Sequence, residues 1–356
     1  MKLAIEPKAF KDESLNSWLI RSSIANGSDP KSFYIALLDK YKTWNKDIDR
    51  YLPPEQAQQL SRLTSLDQQQ IHNLTLEPHI EKIVKREKLN QYTLWYFVIP
   101  TGQRGLSRVN GMHFCPKCLK ESNPYLKKQW KLAWNIGCPI HKIKLLNKCQ
   151  KCNSIFTPQL LNYDNPYIHL CTSCGFDLRD SEIENADTVA LKFQEILNDI
   201  LFNDESISFP ALRTTSINDL FMTMRIFIPF FQYAYKIKKY AVFFETLNLD
   251  IHYMKNTKLM HVFEKMSVND REFFLKLLHQ FLLSDIDVIK QLLKQAGTTH
   301  KTLQGKMHSF SQTILYLSKH LKDAKNSSAK HSKRNTIKPR DKDEVNRLYG
   351  ELLQYI

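Results

Sequence analysis

Apolar residues recur at helical spacing from the start of the chain. In KDESLNSWLIRSSIANG (residues 11–27), Leu15, Trp18, Leu19 and Ser22 share one face, with Ile24 and Ala25 widening it. Asp12 is the predicted cap of this helix and Gly27 its left-handed stop. Asp29-Pro30 opens a second helix over 31–42, expected to bury Phe33, Ala36, Leu37 and Tyr41. Residues 55–63 and 66–74 read as two short helices around a turn at Thr64-Ser65, with Ser65 and Gln68 as a capping box. That pattern predicts a helix-turn-helix. Its second helix offers Gln68, Gln69, Gln70, His72 and Asn73 either to base edges or to solvent, and the pattern does not choose between them. The apolar run at 94–99, LWYFVI, predicts a strand or a buried helix end, and Pro100-Thr101-Gly102 closes this first part.

Helical periodicity returns after residue 187. Residues 187–202, 217–235, 271–283, 286–293 and 307–321 all read as helices. The second should kink at Pro229, and the third and fourth should form a pair. Residues 343–356 predict a terminal helix bearing Val345, Leu348, Leu352 and Tyr355. The most apolar stretch, 221–231, is broken by Arg225 and Pro229 and is too short to cross a bilayer. MKLAIEPKAF lacks the apolar core of a signal peptide, so the expected location is the cytoplasm and no membrane partner is expected.

Between these helical parts lie all seven cysteines, within 115–174. With His141 they make four two-residue-gap pairs: Cys115/Cys118, Cys138/His141, Cys149/Cys152 and Cys171/Cys174. Tight turns that each aim two ligands at one ion are the signature of structural zinc. Eight ligands fill two four-coordinate sites and leave no open position for a reacting water, so two structural Zn2+ ions are expected. An odd cysteine count and no secretory signal argue against disulfides. Spacing favours sequential sites and leaves an interleaved arrangement open. The expected fold is therefore mainly α: an N-terminal helical domain with the helix-turn-helix (1–109), a double zinc-finger module (110–182) and a C-terminal helical domain with a basic arm (183–356).

Charge sharpens this picture. The chain carries a net +15, with +10 in residues 101–152 and +7 in the Ser-, Asn- and Lys-rich arm around 319–342. The remainder is slightly acidic. A basic zinc module and a basic tail form the electrostatic footprint of a nucleic-acid partner. In PYLKKQWKLAWNIG (residues 124–137), Trp130 and Trp134 are expected to pack inward, and Lys127, Lys128 and Lys131 to face outward towards phosphates. Gln69, Gln70 and Asn73 are the candidate base readers.

Two stretches together resemble the TniQ/TnsD family of transposon target-selection proteins. The first is the N-terminal helix, through Glu13, Ser14, Leu15, Ser17, Trp18, Leu19, Arg21, Asn26 and Gly27. The second is the first metal module, through Cys115, Pro116, Cys118, Leu119, Pro124, Tyr125, Trp130, Leu132, Cys138 and His141. The turn LTSL before Asp67 is similar to the family's first helix-turn-helix. The resemblance implies an accessory protein that selects the insertion site and recruits an AAA+ transposition ATPase. Some members read an attachment site directly. Others dimerise and ride on a CRISPR RNA-guided Cascade complex, and the shorter C-terminal half here leans towards that adaptor role. A zinc-dependent DNA-binding regulator unrelated to transposition is the alternative outside the family. No P-loop, G-x-S-x-G elbow, H-E-x-x-H or deaminase pattern occurs, so no enzymatic activity is expected.

Overall fold

Ser14, not Asp12, begins the first helix, because its hydroxyl accepts the N–H of Ser17 at 3.2 Å. Asp12 is occupied elsewhere, accepting from Tyr125 and Lys127. The computed structural model describes residues 2–38, 46–84, 89, 95–101, 111–162, 165–255, 262–304, 311–322, 341, 343–344 and 346–347. The N-terminal helices are α1 (Leu15–Ala25), α2 (Pro30–Leu38), α3 (Pro54–Leu63), α4 (Gln68–Asn73) and α5 (Glu77–Ile80). Gly27 ends α1 in the left-handed region, at φ 65°. In α2 the buried face is Phe33, Tyr34, Leu37 and Leu38, whereas Ala36 is exposed; Tyr41 lies outside the described residues. The capping box of α4 is Asp67 with Gln70 rather than Ser65 with Gln68. Ser65 instead donates its N–H and hydroxyl to the Glu6 carboxylate.

A two-stranded hairpin, β1 (Gly137–Cys138) and β2 (Ile143–Lys144), is the regular sheet among the described residues. The apolar run near 94–99 forms neither regular strand nor helix. Leu94 lies outside the described residues, and the remainder bridges to the metal-ligand segment through Val98 and Leu132. The C-terminal helices are α6 (Thr188–Phe202), α7 (Ile217–Ala234), α8 (Ala241–Thr246), α9 (His252–Lys255), α10 (Val268–Leu282), α11 (Ile286–Gln295), α12 (His300–Gln304) and α13 (Gln312–Lys319). Helix α7 continues through Pro229. The expected pair α10 and α11 takes other main partners: α10 packs on α6, and α11 on α8.

Three hydrophobic clusters hold residues 1–322 as one unit. Leu15, Trp18 and Leu19 meet Phe33, Leu60 and Ile71 in the first. Cys115, Cys118, Cys138, Cys149 and Cys171 form the second with Trp130 and Ile20. The third joins α6–α13 to Trp95, Phe97, Val98, Leu132 and Trp134. Both tryptophans of 124–137 are therefore core residues, but of different cores. Residues 323–356 form a separate unit in which Asp343, Glu344, Asn346 and Arg347 are helical. The basic arm between 323 and 340, and Val345, Leu348, Leu352 and Tyr355, lie outside the described residues.

Candidate metal centres and nucleic-acid surface

The four ligand pairs close in sequential order. Cys115, Cys118, Cys138 and His141 form one group, and Cys149, Cys152, Cys171 and Cys174 the other, with all ligand atoms of a group within 4.8 Å of one another. In the first, His141 Nδ1 lies 3.4 Å from Cys115 Sγ, 3.4 Å from Cys118 Sγ and 3.5 Å from Cys138 Sγ. The Cys118 and Cys138 sulfurs are 3.7 Å apart. In the second, Cys149 and Cys174 are 3.7 Å apart, as are Cys152 and Cys171. A tetrahedral zinc with Zn–S of about 2.3 Å and Zn–N of about 2.0 Å sets edges near ~3.8 Å for S···S and ~3.5 Å for S···N. The donor atoms therefore already stand at the corners such an ion requires. Either group could hold a metal ion.

Backbone geometry explains how two-residue gaps achieve this. The N–H four residues after the first ligand returns to that ligand's carbonyl: Lys142 to Cys138 at 2.7 Å, Asn153 to Cys149 at 2.9 Å and Gly175 to Cys171 at 2.9 Å. All three residues adopt positive φ, at 55°, 58° and 68°. Asn and Gly are usual there and announce the turn in sequence; Lys142 does not. The first pair makes the same return, Leu119 N–H to Cys115 O at 3.1 Å, but without a positive φ, running into a 3-10 helix at Cys118–Lys120. The two sites differ in solvation, since Cys115, Cys118 and Cys138 are buried whereas Cys152 and Cys174 are exposed.

The first metal segment docks directly on α1. Ser14 N–H donates to Leu126 O at 2.9 Å, and Leu126 N–H to Ser17 Oγ at 2.9 Å. Phe10 stacks on Tyr125 with ring centroids 4.3 Å apart. Glu13 is buried and accepts from Ser17 Oγ and, at 2.6 Å, from Arg21; burial drives its carboxyl above the usual range despite that cation. Arg21 is thus an internal partner of Glu13, covered by Phe10.

The lysines expected to face outward do not. Lys131 is buried, donates to Asp47 and Thr101, and lies 3.7 Å from Asp49. Burial opposes the Asp47 charge, but Lys131 and Arg50 outweigh it and hold its carboxyl below the ordinary value. Lys128 is also buried and donates to the Asn73 carbonyl at 2.7 Å; burial lowers its amine from 10.5 to about 8. Lys127 is half-buried and pairs with Asp12 at 2.8 Å. The cations that do face solvent on the metal modules are Lys117, Lys120, Lys142, Lys148 and Lys151. Among the described residues none of these five forms an ion pair. Sequence carries a signal for two of them: Lys117 and Lys151 are the non-ligand positions inside the CPKC and CQKC turns. Gln69, Gln70 and Asn73 are exposed on α4, with Gln70 closing the cap on Asp67 N–H and Gln69 donating to Asn73 at 3.0 Å.

Residues 4–145 match the TniQ family model. The chain carries a TniQ domain. The match runs from the segment before α1 through β2 and takes in the complete Cys115/Cys118/Cys138/His141 group, so the TniQ domain and its metal group are one packed body. A TniQ domain supports a role in selecting target sites for DNA transposition. No curated protein matches the chain.

Proposed function

We propose that this protein is a non-catalytic adaptor that links a target-bound complex, a CRISPR RNA-guided Cascade, to the AAA+ regulator of transposition. The observation that carries this reading is the TniQ match over 4–145. Two structural zinc ions, held by Cys115, Cys118, Cys138 and His141 and by Cys149, Cys152, Cys171 and Cys174, stabilise the body that presents the docking surfaces. Zinc supplies no reaction here; it fixes four turns that a small core could not hold alone. The five exposed lysines on the metal modules then face phosphate, while Lys127, Lys128 and Lys131 act within the fold. Two copies of the chain on one guide complex are part of this proposal. No described helix is long and apolar enough to cross a membrane.

A second reading has its own support. The exposed amides of α4 suit direct recognition of an attachment site, as in TnsD-like proteins. Affinity capture of the tagged protein from its host, analysed for protein and RNA, separates the two. Recovery of Cas subunits with guide RNA supports the adaptor. Recovery of an AAA+ protein and a defined DNA site, without guide RNA, supports direct reading. Recovery of neither ATPase nor guide complex would remove the transposition role in favour of an unrelated DNA-binding regulator.

A further inference from the structure

A cleft of about 420 Å³ opens where α1 meets both metal modules. Its floor is apolar, made by Ile24, Leu119 and Ile168, and belongs to the cluster that surrounds the cysteines. Tyr167 lines it as well and is 57% exposed. It lies against His169 with ring centroids 5.4 Å apart and planes 27° from parallel. Arg179 lines the same cleft, tied to Asp177 by one edge of its guanidinium. Ser122 and Asn123 also line it, and neither side chain has a hydrogen-bond partner among the described residues.

We propose that this cleft receives an unpaired base of a single-stranded nucleic acid. An exposed aromatic ring already stacked on a second ring is a platform that every base can extend. Arg179 is paired with Asp177 through Nε and Nη2 only, so its Nη1 edge is the lining group that can meet the phosphate accompanying the base. Asn123 and Ser122 supply free donors and acceptors for a base edge, and the volume accommodates one nucleoside rather than a helix of a partner protein. The inference goes beyond the targeting role and does not depend on it.

The test uses the purified, zinc-loaded full chain and a short oligonucleotide carrying one 2-aminopurine. Binding should quench 2-aminopurine fluorescence by stacking. Tyr167→Ala should remove the quench and weaken single-strand affinity by about five- to one-hundredfold, with duplex affinity unchanged. Tyr167→Trp should restore both, because stacking needs a ring and not the hydroxyl. Tyr167 is exposed, so its loss should leave zinc content and melting intact. Should Tyr167→Ala nevertheless misfold, Arg179→Gln provides the same reading through a roughly fewfold loss on single strands. Unchanged single-strand affinity in these variants, an equal loss on duplex, or binding of a proline-rich peptide in place of the oligonucleotide would each overturn the proposal. Capture of transposition partners tests the targeting role separately, and either result can stand without the other.

Discussion

Lys131 shows how far a side chain's role can depart from its neighbours in sequence. Its partner Asp47 is 84 positions away, so no local periodicity reveals that the amine is spent inside the fold. Replacing Lys131 by Met removes the cation beside buried Asp49 and leaves Asp47 with Arg50 alone. We expect a loss of about 3–5 kcal/mol, read by urea denaturation. A charge reversal at Lys131 would therefore report unfolding and not a lost phosphate contact; nucleic-acid affinity should instead fall, with a flatter salt dependence, when Lys117, Lys148 and Lys151 are made Gln. Lys128 gives a pH signature. Its folded pKa, about 8, lies below the 10.5 of the free side chain, so the unfolded chain binds the extra proton between those values. Its contribution to stability is then unfavourable below pH 8 and improves as pH rises from 8 to 10.5. The stability of the wild type relative to Lys128→Met should climb across that window, and a flat difference would contradict the burial of the charged amine.

At the scale of elements, the ligand turns and helices were legible because their causes are local. Cysteine spacing foretold both metal groups, and apolar periodicity located α1, α6, α7 and α10 within a few residues. Caps were less legible, since Asp12 and Ser14, or Ser65 and Asp67, are equally good capping residues in sequence and tertiary partners decide between them. The two metal elements should separate in stability. With two of its four cysteines exposed, the Cys149/Cys152/Cys171/Cys174 group should yield its ion to a chelator first, and the buried Cys115/Cys118/Cys138/His141 group later. A chromogenic chelator should record two phases, and Cys152→Ser should abolish the faster alone. Cys115→Ser should also lower the melting temperature, because Cys115 is part of the core around Trp130. Gly111 adds a close-approach constraint beside the first ligand. A Cβ there would lie 2.7 Å from both Asn147 O and Phe156 N, backbone atoms that cannot rotate away. Gly111→Ala should thus destabilise the metal module without touching a ligand, lowering zinc retention in the same chelator assay.

Across the whole molecule, the division of labour follows the hydrophobic clusters rather than the motifs. Pattern reading sees helices before the cysteines and helices after them, and cutting at 109 and 182 is the natural result. The packing instead sends Trp95, Phe97, Val98, Leu132 and Trp134 into the core of α6–α13. Polar contacts reinforce the seam. Gln194 Oε1 accepts the N–H of Ile136 at 2.7 Å and of Gly137 at 3.1 Å, Asn198 accepts from Trp134 Nε1, and the buried Arg271 donates to Ala133 O. Arg271 has no local sequence signal, being one arginine in an amphipathic helix, yet it reaches 138 positions back along the chain. A fragment ending at residue 182 would keep all eight metal ligands and the TniQ match but expose Trp134, Phe97 and Val98 together, a patch that soluble proteins rarely leave bare. We expect that fragment to bind zinc, to bind a hydrophobic dye strongly and to self-associate, whereas residues 1–322 behave as one cooperative unit. Denaturation followed by tryptophan fluorescence and by zinc release checks this. Coincident transitions in 1–322, with dye binding and aggregation confined to 1–182, would establish that the C-terminal helices complete the TniQ body. A monodisperse, dye-free 1–182 would show that the metal modules are sufficient to close their own core.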